Sequence, residues 1–293
     1  MMSETIAILS PGEMGHAIGR TLVNHGFPVI TSLAGRSRRT AGLTREAGIE
    51  DVGDLDAVVD QADIILSIMP SFDAPVVAAD VASRLSGRET PLLFVDCNAL
   101  APQTAQGIER TITDAGGLMA DVGIIGGPPT DTYQPRLYAS GPHLDRLLDL
   151  GASGLDFRPI GINIGQASGM KMCYAALTKG LSALGTSVMV AAAKLELTDP
   201  LRDELVGSQT PIFNWLQKTI PGMPPKSRRW VSEMEEIAAT LGHLGLPSGF
   251  HLGAADVYRR VGETRLAQES PESRDTSRTM RAAIEEMVAS QKL

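Results

Sequence analysis

The stretch Thr5–Gly26, TIAILSPGEMGHAIGRTLVNHG, decides the fold. Ile6 to Leu9 is an apolar run of strand length, Ser10-Pro11-Gly12 is a turn, and Met14, Ile18, Leu22 and Val23 share one face of a helix. A strand, a glycine turn and a helix in that order bring unpaired backbone N–H groups and the positive end of the helix dipole to the turn. That geometry suits an anionic phosphate. The dinucleotide fingerprint G-x-G-x-x-G reads here S-x-G-x-x-G, carried by Ser10, Gly12 and Gly15, with Glu13 and Met14 between the glycines. Gly12 lets a pyrophosphate approach the backbone and Gly15 lets the helix pack on the strand. With Ser10 in the first glycine's place, the stretch also fits a plain strand–helix turn, and taken alone it leaves both readings open.

Working outward, short apolar runs at residues 27–32, 63–69, 91–96 and 117–122 alternate with helix patterns at 40–47, 54–61, 74–85 and 102–115. Strands this apolar on both faces imply a parallel sheet covered by helices on each side. Two late strands, 136–140 and 156–160, flank a short helix at 143–150. From about residue 166 strand signals cease, and helix patterns separated by Pro and Gly turns run almost to the end, with a polar tail at 268–278 before a last helix. The expected fold class is α/β: a Rossmann domain with a doubly wound parallel sheet over residues 1–163, then an all-α domain over 164–293.

Composition narrows the partners. The net charge of -8 speaks against nucleic acid and against an anionic membrane surface, both of which need a basic patch. Only two cysteines occur, Cys97 and Cys173, which is no disulfide framework, and the five histidines show no metal-ligand spacing, so no metal is expected. The N-terminus runs into the first strand without the basic and apolar segments of a signal peptide, and a cytoplasmic protein is expected. The longest apolar stretch, residues 181–193, is too short to span a bilayer and reads as a buried helix.

Past the second strand, where an acid would bind the ribose hydroxyls of NAD, stand Arg36, Ser37, Arg38 and Arg39. Arginine forks match phosphate oxygens, so this cluster points to the extra phosphate of NADP, against the alternative of a solvated basic turn. Ligands of an open α/β sheet lie outside the carboxyl ends of its strands, which adds Met69, Pro70, Ser71 and Asn98 to the cofactor-binding candidates. Along the first helix of the second half, Ser168, Lys171, Ala175, Thr178 and Ser182 share a face, with Cys173, Leu177, Leu181, Leu184 and Val188 opposite. Lys171 serves as a general acid or base if burial lowers its proton affinity; the alternative is an exposed or ion-paired helix lysine.

Four segments in order, Ser10 to Gly15, Met69-Pro70, Asp121 to Gly127 and Gly169-Met170-Lys171, resemble the β-hydroxyacid dehydrogenases, the group of 3-hydroxyisobutyrate and 6-phosphogluconate dehydrogenases. The resemblance covers nearly all the chain, strongly before Gly180 and loosely after it. It implies a Rossmann domain, a helical dimerising domain and NADP-dependent alcohol oxidation or carbonyl reduction. Lys171 matches the family's catalytic lysine, and Asp121, Gly123, Ile125 and Gly126 match its substrate loop. Two positions depart from the pattern. Ile125 stands where the family has a serine, and Ala175 where it has an asparagine. Both remove polar groups, so a bulkier or less polar substrate than a short hydroxy acid is expected, with Tyr174, Thr178 and His251 as replacement contacts. The alternatives are an imine reductase on the same plan and a non-catalytic NADP-binding protein. A homodimer is expected.

Overall fold

The computed structural model describes residues 4–270 and 273–293. The first half alternates strands and helices: β1 (Ile6–Leu9), α1 (Gly15–Asn24), β2 (Val29–Thr31), α2 (Arg38–Glu46), β3 (Glu50–Asp51), α3 (Leu55–Gln61), β4 (Ile64–Ser67), α4 (Ala74–Ala82), β5 (Leu93–Asp96), α5 (Pro102–Asp114), β6 (Leu118–Ile125), β7 (Arg136–Ser140), α6 (Leu144–Asp149) and β8 (Asp156–Gly161). Local chemistry sets the helix starts. Asp54 caps α3 by accepting the Ala57 N–H at 2.8 Å, and α4 and α5 each carry a proline in the first turn, where its missing N–H costs nothing.

The strands form one 8-stranded sheet in the order β3-β2-β1-β4-β5-β6-β7-β8. The run 3-2-1-4-5-6 is the doubly wound dinucleotide order. The sheet is not wholly parallel as expected: β7 runs antiparallel to β6 before β8 returns parallel to β7. The edge strand β3 is short, exposed and acidic, so no apolar run announces it. Period-two alternation fills both faces. Ile6 and Ile8 of β1 enter one apolar cluster with Ile18 and Leu22 of α1, while Ala7 and Leu9 enter the other with Ala78 of α4 and Ile108 of α5.

The chain divides into two compact units, Met1–Met172 and Cys173–Leu293. The division falls inside α7 (Gln166–Lys194), so the opening turns of that helix belong to the sheet unit. At 29 residues α7 takes in both the polar face from Ser168 to Ser182 and the apolar stretch 181–193 read from the sequence, and by length and composition it is apolar enough to cross a membrane. Half of its most apolar window is buried inside the chain.

The second unit continues with α8 (Thr198–Ser208), α9 (Thr210–Thr219), α10 (Ser227–His243), α11 (Gly249–Val261) and α12 (Met280–Ala289). Its centre is Tyr258, fully buried, whose ring meets Trp230 edge-on at 5.2 Å and whose hydroxyl donates to the Lys179 carbonyl at 2.5 Å. Burial pushes the Tyr258 phenol far above its ordinary range. The Lys179 ammonium pairs with Glu233 and lies 5.0 Å from the Trp230 ring centre. In the expected loose tail, Glu269 and Arg278 form an ion pair; residues 271 and 272 lie outside the described residues.

Candidate active site

The candidate site is built where parallel strands end, within the first unit. At the first turn, Ser10 takes φ +63, the left-handed conformation a glycine would supply there. Its carbonyl accepts the Gly12 N–H at 2.7 Å, closing a three-residue turn over Pro11. A Cβ on Gly15 would meet the Ser10 carbonyl oxygen at 3.0 Å and Ile8 Cγ2 at 3.1 Å, so α1 sits against β1 at a distance only glycine permits. The helix opens with Met14 as its cap residue, without a side-chain cap and with no acid in its first turn. Around Gly12 there is open space, the nearest atom to an added Cβ being the Ser10 oxygen at 3.9 Å. A cradle of this shape fits a dinucleotide pyrophosphate. Glu13 beside it is partly buried and engaged in an interaction of its own.

The basic cluster follows β2. Arg36, Arg38 and Arg39 are exposed. Ser37 caps α2: its hydroxyl accepts the Thr40 N–H at 3.1 Å and meets the Thr40 hydroxyl at 3.0 Å.

The strand register sets one residue from each of five neighbouring strands in a row. Leu9 pairs with Ser67, Ser67 with Asp96, Asp96 with Asp121 and Asp121 with Ser140. The four polar members are fully buried. Asn98 ties this row to the cofactor-side turns: its amide N donates to Ser67 Oγ at 3.0 Å and Asp96 Oδ2 at 2.9 Å, and its oxygen accepts the Met69 N–H at 2.6 Å. Asn98 is therefore a brace for the Met69-Pro70-Ser71 turn, with its amide spent internally, where a direct cofactor contact was expected. In that turn Met69 is partly buried, Pro70 exposed and Ser71 buried.

Asp121, expected on the substrate side, has its carboxylate engaged within the chain. Its Oδ2 accepts the N–H groups of Gly165 at 2.8 Å and Ser168 at 2.9 Å and the Ser140 hydroxyl at 3.2 Å, while Oδ1 accepts the Ser168 hydroxyl at 2.7 Å. The carboxylate caps the start of α7. Burial raises its proton affinity, and the Ser168, Gly165 and Ser140 hydrogen bonds oppose that rise. Burial pushes Asp96 up to about 7, opposed by its two bonds from Asn98 and by the charge of Lys171 and aided by the charge of Asp121. Burial also pushes the Cys97 thiol up.

Lys171 lies one turn after Ser168, partly buried and close enough to act electrostatically on both Asp96 and Cys97. Gly123 explains its placement. A Cβ there would meet the Ala167 oxygen at 2.6 Å and Lys171 Cβ at 3.1 Å, so β6 and α7 touch backbone to backbone beneath the lysine. Gly123 is thus a packing position, without a side chain to offer a substrate. Ile125 is buried in the same strand and Gly126 is exposed just past its end.

The remaining substrate candidates belong to the second unit. Tyr174 is exposed, and the Thr178 hydroxyl is spent on the Tyr174 carbonyl at 3.0 Å. His251 is buried against Phe250, and its Nε2 lies 3.2 Å from the Ala176 carbonyl oxygen. That contact makes Nε2 the protonated nitrogen and Nδ1 an acceptor, which finds no partner among the described residues. The sequence missed Ser140 and the capping role of Asp121. The signal was present in polar residues that close apolar strands, but their shared row needs the register, which no single segment carries.

A glycine cradle at a helix start, at the edge of a sheet with the strand run 3-2-1-4-5-6, has the form of a dinucleotide-binding Rossmann domain. Residues 5–144 match the family described as the NAD binding domain of 6-phosphogluconate dehydrogenase, and residues 192–261 match a domain of unknown function, DUF1932. An uncharacterised 28.5 kDa protein of Methanothermus fervidus is 30% identical over 210 residues, 71% of this chain and 80% of that protein. Among solved structures, a Mycobacterium tuberculosis 3-hydroxyisobutyrate dehydrogenase, solved with L-serine, shares the fold with a TM-score of 0.71 at 17% identity, covering 97% of this chain and 99% of that one. A Streptomyces aurantiacus imine reductase gives 0.52 at 16% identity, covering 96% and 99%. The chain belongs to the β-hydroxyacid dehydrogenase-like superfamily, with a NAD-binding Rossmann domain followed by a helical domain.

Proposed function

We propose that the protein is an NADP-dependent oxidoreductase acting on a hydroxy or carbonyl carbon, with Lys171 as its proton-transfer residue. One observation carries the reading: the open start of α1, the exposed arginines after β2 and Lys171 all stand where the parallel strands of the first unit end. The N–H groups at the α1 start would hold the pyrophosphate, and Arg36 and Arg38 would hold the extra phosphate that distinguishes NADP from NAD. The bound nicotinamide supplies or accepts the hydride. Lys171 takes the substrate hydroxyl proton in oxidation and returns one to the carbonyl oxygen in reduction.

The substrate side has lost polarity. Ile125 and Ala175 are both buried, where the resembled family has hydroxyl and amide groups. A small carboxylate would meet no donor from these two positions, so the reading favours a bulkier, less polar carbonyl compound. The same loss favours, as a second reading, reduction of a cyclic imine. With NADPH in excess, a panel of ketones, hydroxy-acid precursors and cyclic imines separates the two.

Replacing Lys171 by Ala should lower turnover at least about 100-fold, the usual minimum for a lost acid–base group. A much smaller loss removes the lysine from the mechanism. Titration of NADPH and NADH against the fluorescence of Trp215 and Trp230 tests the cofactor, and equal affinities would reject the role of Arg36. We also propose a homodimer. The side chains of Leu177, Leu184 and Val188 along α7, and of Leu195 just past its end, are exposed in the single chain, Leu177 at 72%. A second copy covering them would remove that area from water. Sedimentation at the 31.0 kDa of one chain at micromolar concentration would count against it.

A further inference from the structure

We propose that Asp121 is the positioning residue of Lys171, an inference that rests on the reading of Lys171 above. The β6 strand holds the start of α7 at two points. At the first, the Asp121 carboxylate accepts four hydrogen bonds, three of them from Gly165 and Ser168, which bracket the opening turn of the helix. At the second, two residues further along the strand, the missing side chain of Gly123 lets Ala167 and Lys171 settle against the strand backbone. Residues 121 and 123 lie on the same face of β6, and residues 168 and 171 are neighbours on α7.

The two fixings act together. The carboxylate sets the rotation of the helix start, because turning α7 about its axis would pull the Ser168 N–H and hydroxyl off the acid. The glycine sets how close the helix lies. Ser140 locks the pair from the next strand, accepting the Ala167 N–H at 2.9 Å while donating to Asp121. The direction in which Lys171 leaves the helix is then determined by these contacts.

Helix capping alone does not call for this arrangement. Most caps are exposed hydroxyl, amide or acid groups, and burying a carboxylate costs more than burying a neutral acceptor. What the charge adds is stronger hydrogen bonds with tighter geometry. A loosely capped helix would fold equally well but would carry its lysine through a range of orientations.

The test is pH-dependent competitive acetylation of the intact folded protein, with each lysine followed by peptide mass spectrometry. In Asp121→Asn the rate or the titration midpoint of Lys171 should change several-fold, while those of the exposed Lys194 and Lys218 stay as they were. An unchanged Lys171 profile beside a lowered melting temperature makes Asp121 a structural cap only and overturns the proposal. Ser168→Ala keeps the carboxylate and removes one of its donors, so it serves if Asp121→Asn does not fold. A change confined to Lys171 is again expected, and none overturns the proposal. Because labelling needs no turnover, a Lys171→Ala variant that stays active defeats the catalytic reading without touching this result, and the reverse outcome leaves the catalytic reading standing.

Discussion

Two helices of the sheet unit start in opposite ways. The α1 helix begins under the glycine turn with no side-chain cap and no acid in its first turn. The α7 helix begins with a buried carboxylate on the N–H groups of Gly165 and Ser168. Both starts carry the same unpaired donors and the same positive dipole end. An open start leaves its donors for an anion from solution, as the proposed cofactor site requires. A closed start has its anion within the chain, and that makes it a fixed point from which Lys171 can be aimed.

Removing the internal anion should do the most damage. Asp121→Ala leaves two backbone N–H groups and the Ser168 hydroxyl of the α7 start, and the Ser140 hydroxyl of β7, without their acceptor in a buried place, a loss of about 4 kcal/mol of folding stability. Urea unfolding measures it, and a loss below about 1 kcal/mol would mean that water or a rearranged side chain replaces the acid at little cost. Adding an anion at the open start is the converse experiment. Gly12→Asp meets almost no steric obstacle. Its charge would compete for the N–H groups that a phosphate needs, weakening NADPH binding about 100-fold while the melting temperature hardly moves. Unchanged NADPH affinity in that variant would erase the distinction between the two starts.

The open start was legible in the sequence and the closed one was not. Ser10, Gly12 and Gly15 lie within six consecutive residues of one strand–turn–helix unit, so their roles follow from local geometry. The closed start joins Asp121 to Ser140, Gly165 and Ser168 from three separate segments, and only the strand register and the helix approach bring them together. The same limit explains Asn98, which looks like a ligand at its position but spends its side-chain amide on the turn and strands around it. The order of strands and helices was readable because it rests on apolar period and turn chemistry. The reversal of β7 and the acidic edge β3 were not, since neither changes that period.

A smaller effect separates the two buried acids themselves. Asp96 accepts two bonds from Asn98 and is raised from 3.8 to about 7, first by burial. Between those values the folded chain holds a proton that the unfolded chain has released, so this group's contribution to stability falls as pH rises through the window and levels off above it. Asp96→Asn removes that dependence. The stability of the native sequence minus that of the variant should therefore be larger at about pH 5 than at about pH 8. A difference that stays flat across this range would place the Asp96 proton affinity near its ordinary value.

The smallest expected effect returns to the first turn. Ser10 holds φ +63 although a serine gains nothing from that conformation, which glycine adopts freely. The Gly12 N–H bond to the Ser10 carbonyl and the contact of Gly15 with the same carbonyl fix its peptide, so the strain is imposed by the turn. Ser10→Gly should relieve it and stabilise the fold by about 1 kcal/mol, after part of the gain is lost to the greater freedom of glycine in the unfolded chain. The cradle's shape would be unchanged, so NADPH affinity should change only if the serine hydroxyl itself meets a phosphate. A stabilised variant with weaker NADPH binding would therefore show that the serine is retained for the ligand, and a stabilised variant with equal binding would show that the turn tolerates it without using it.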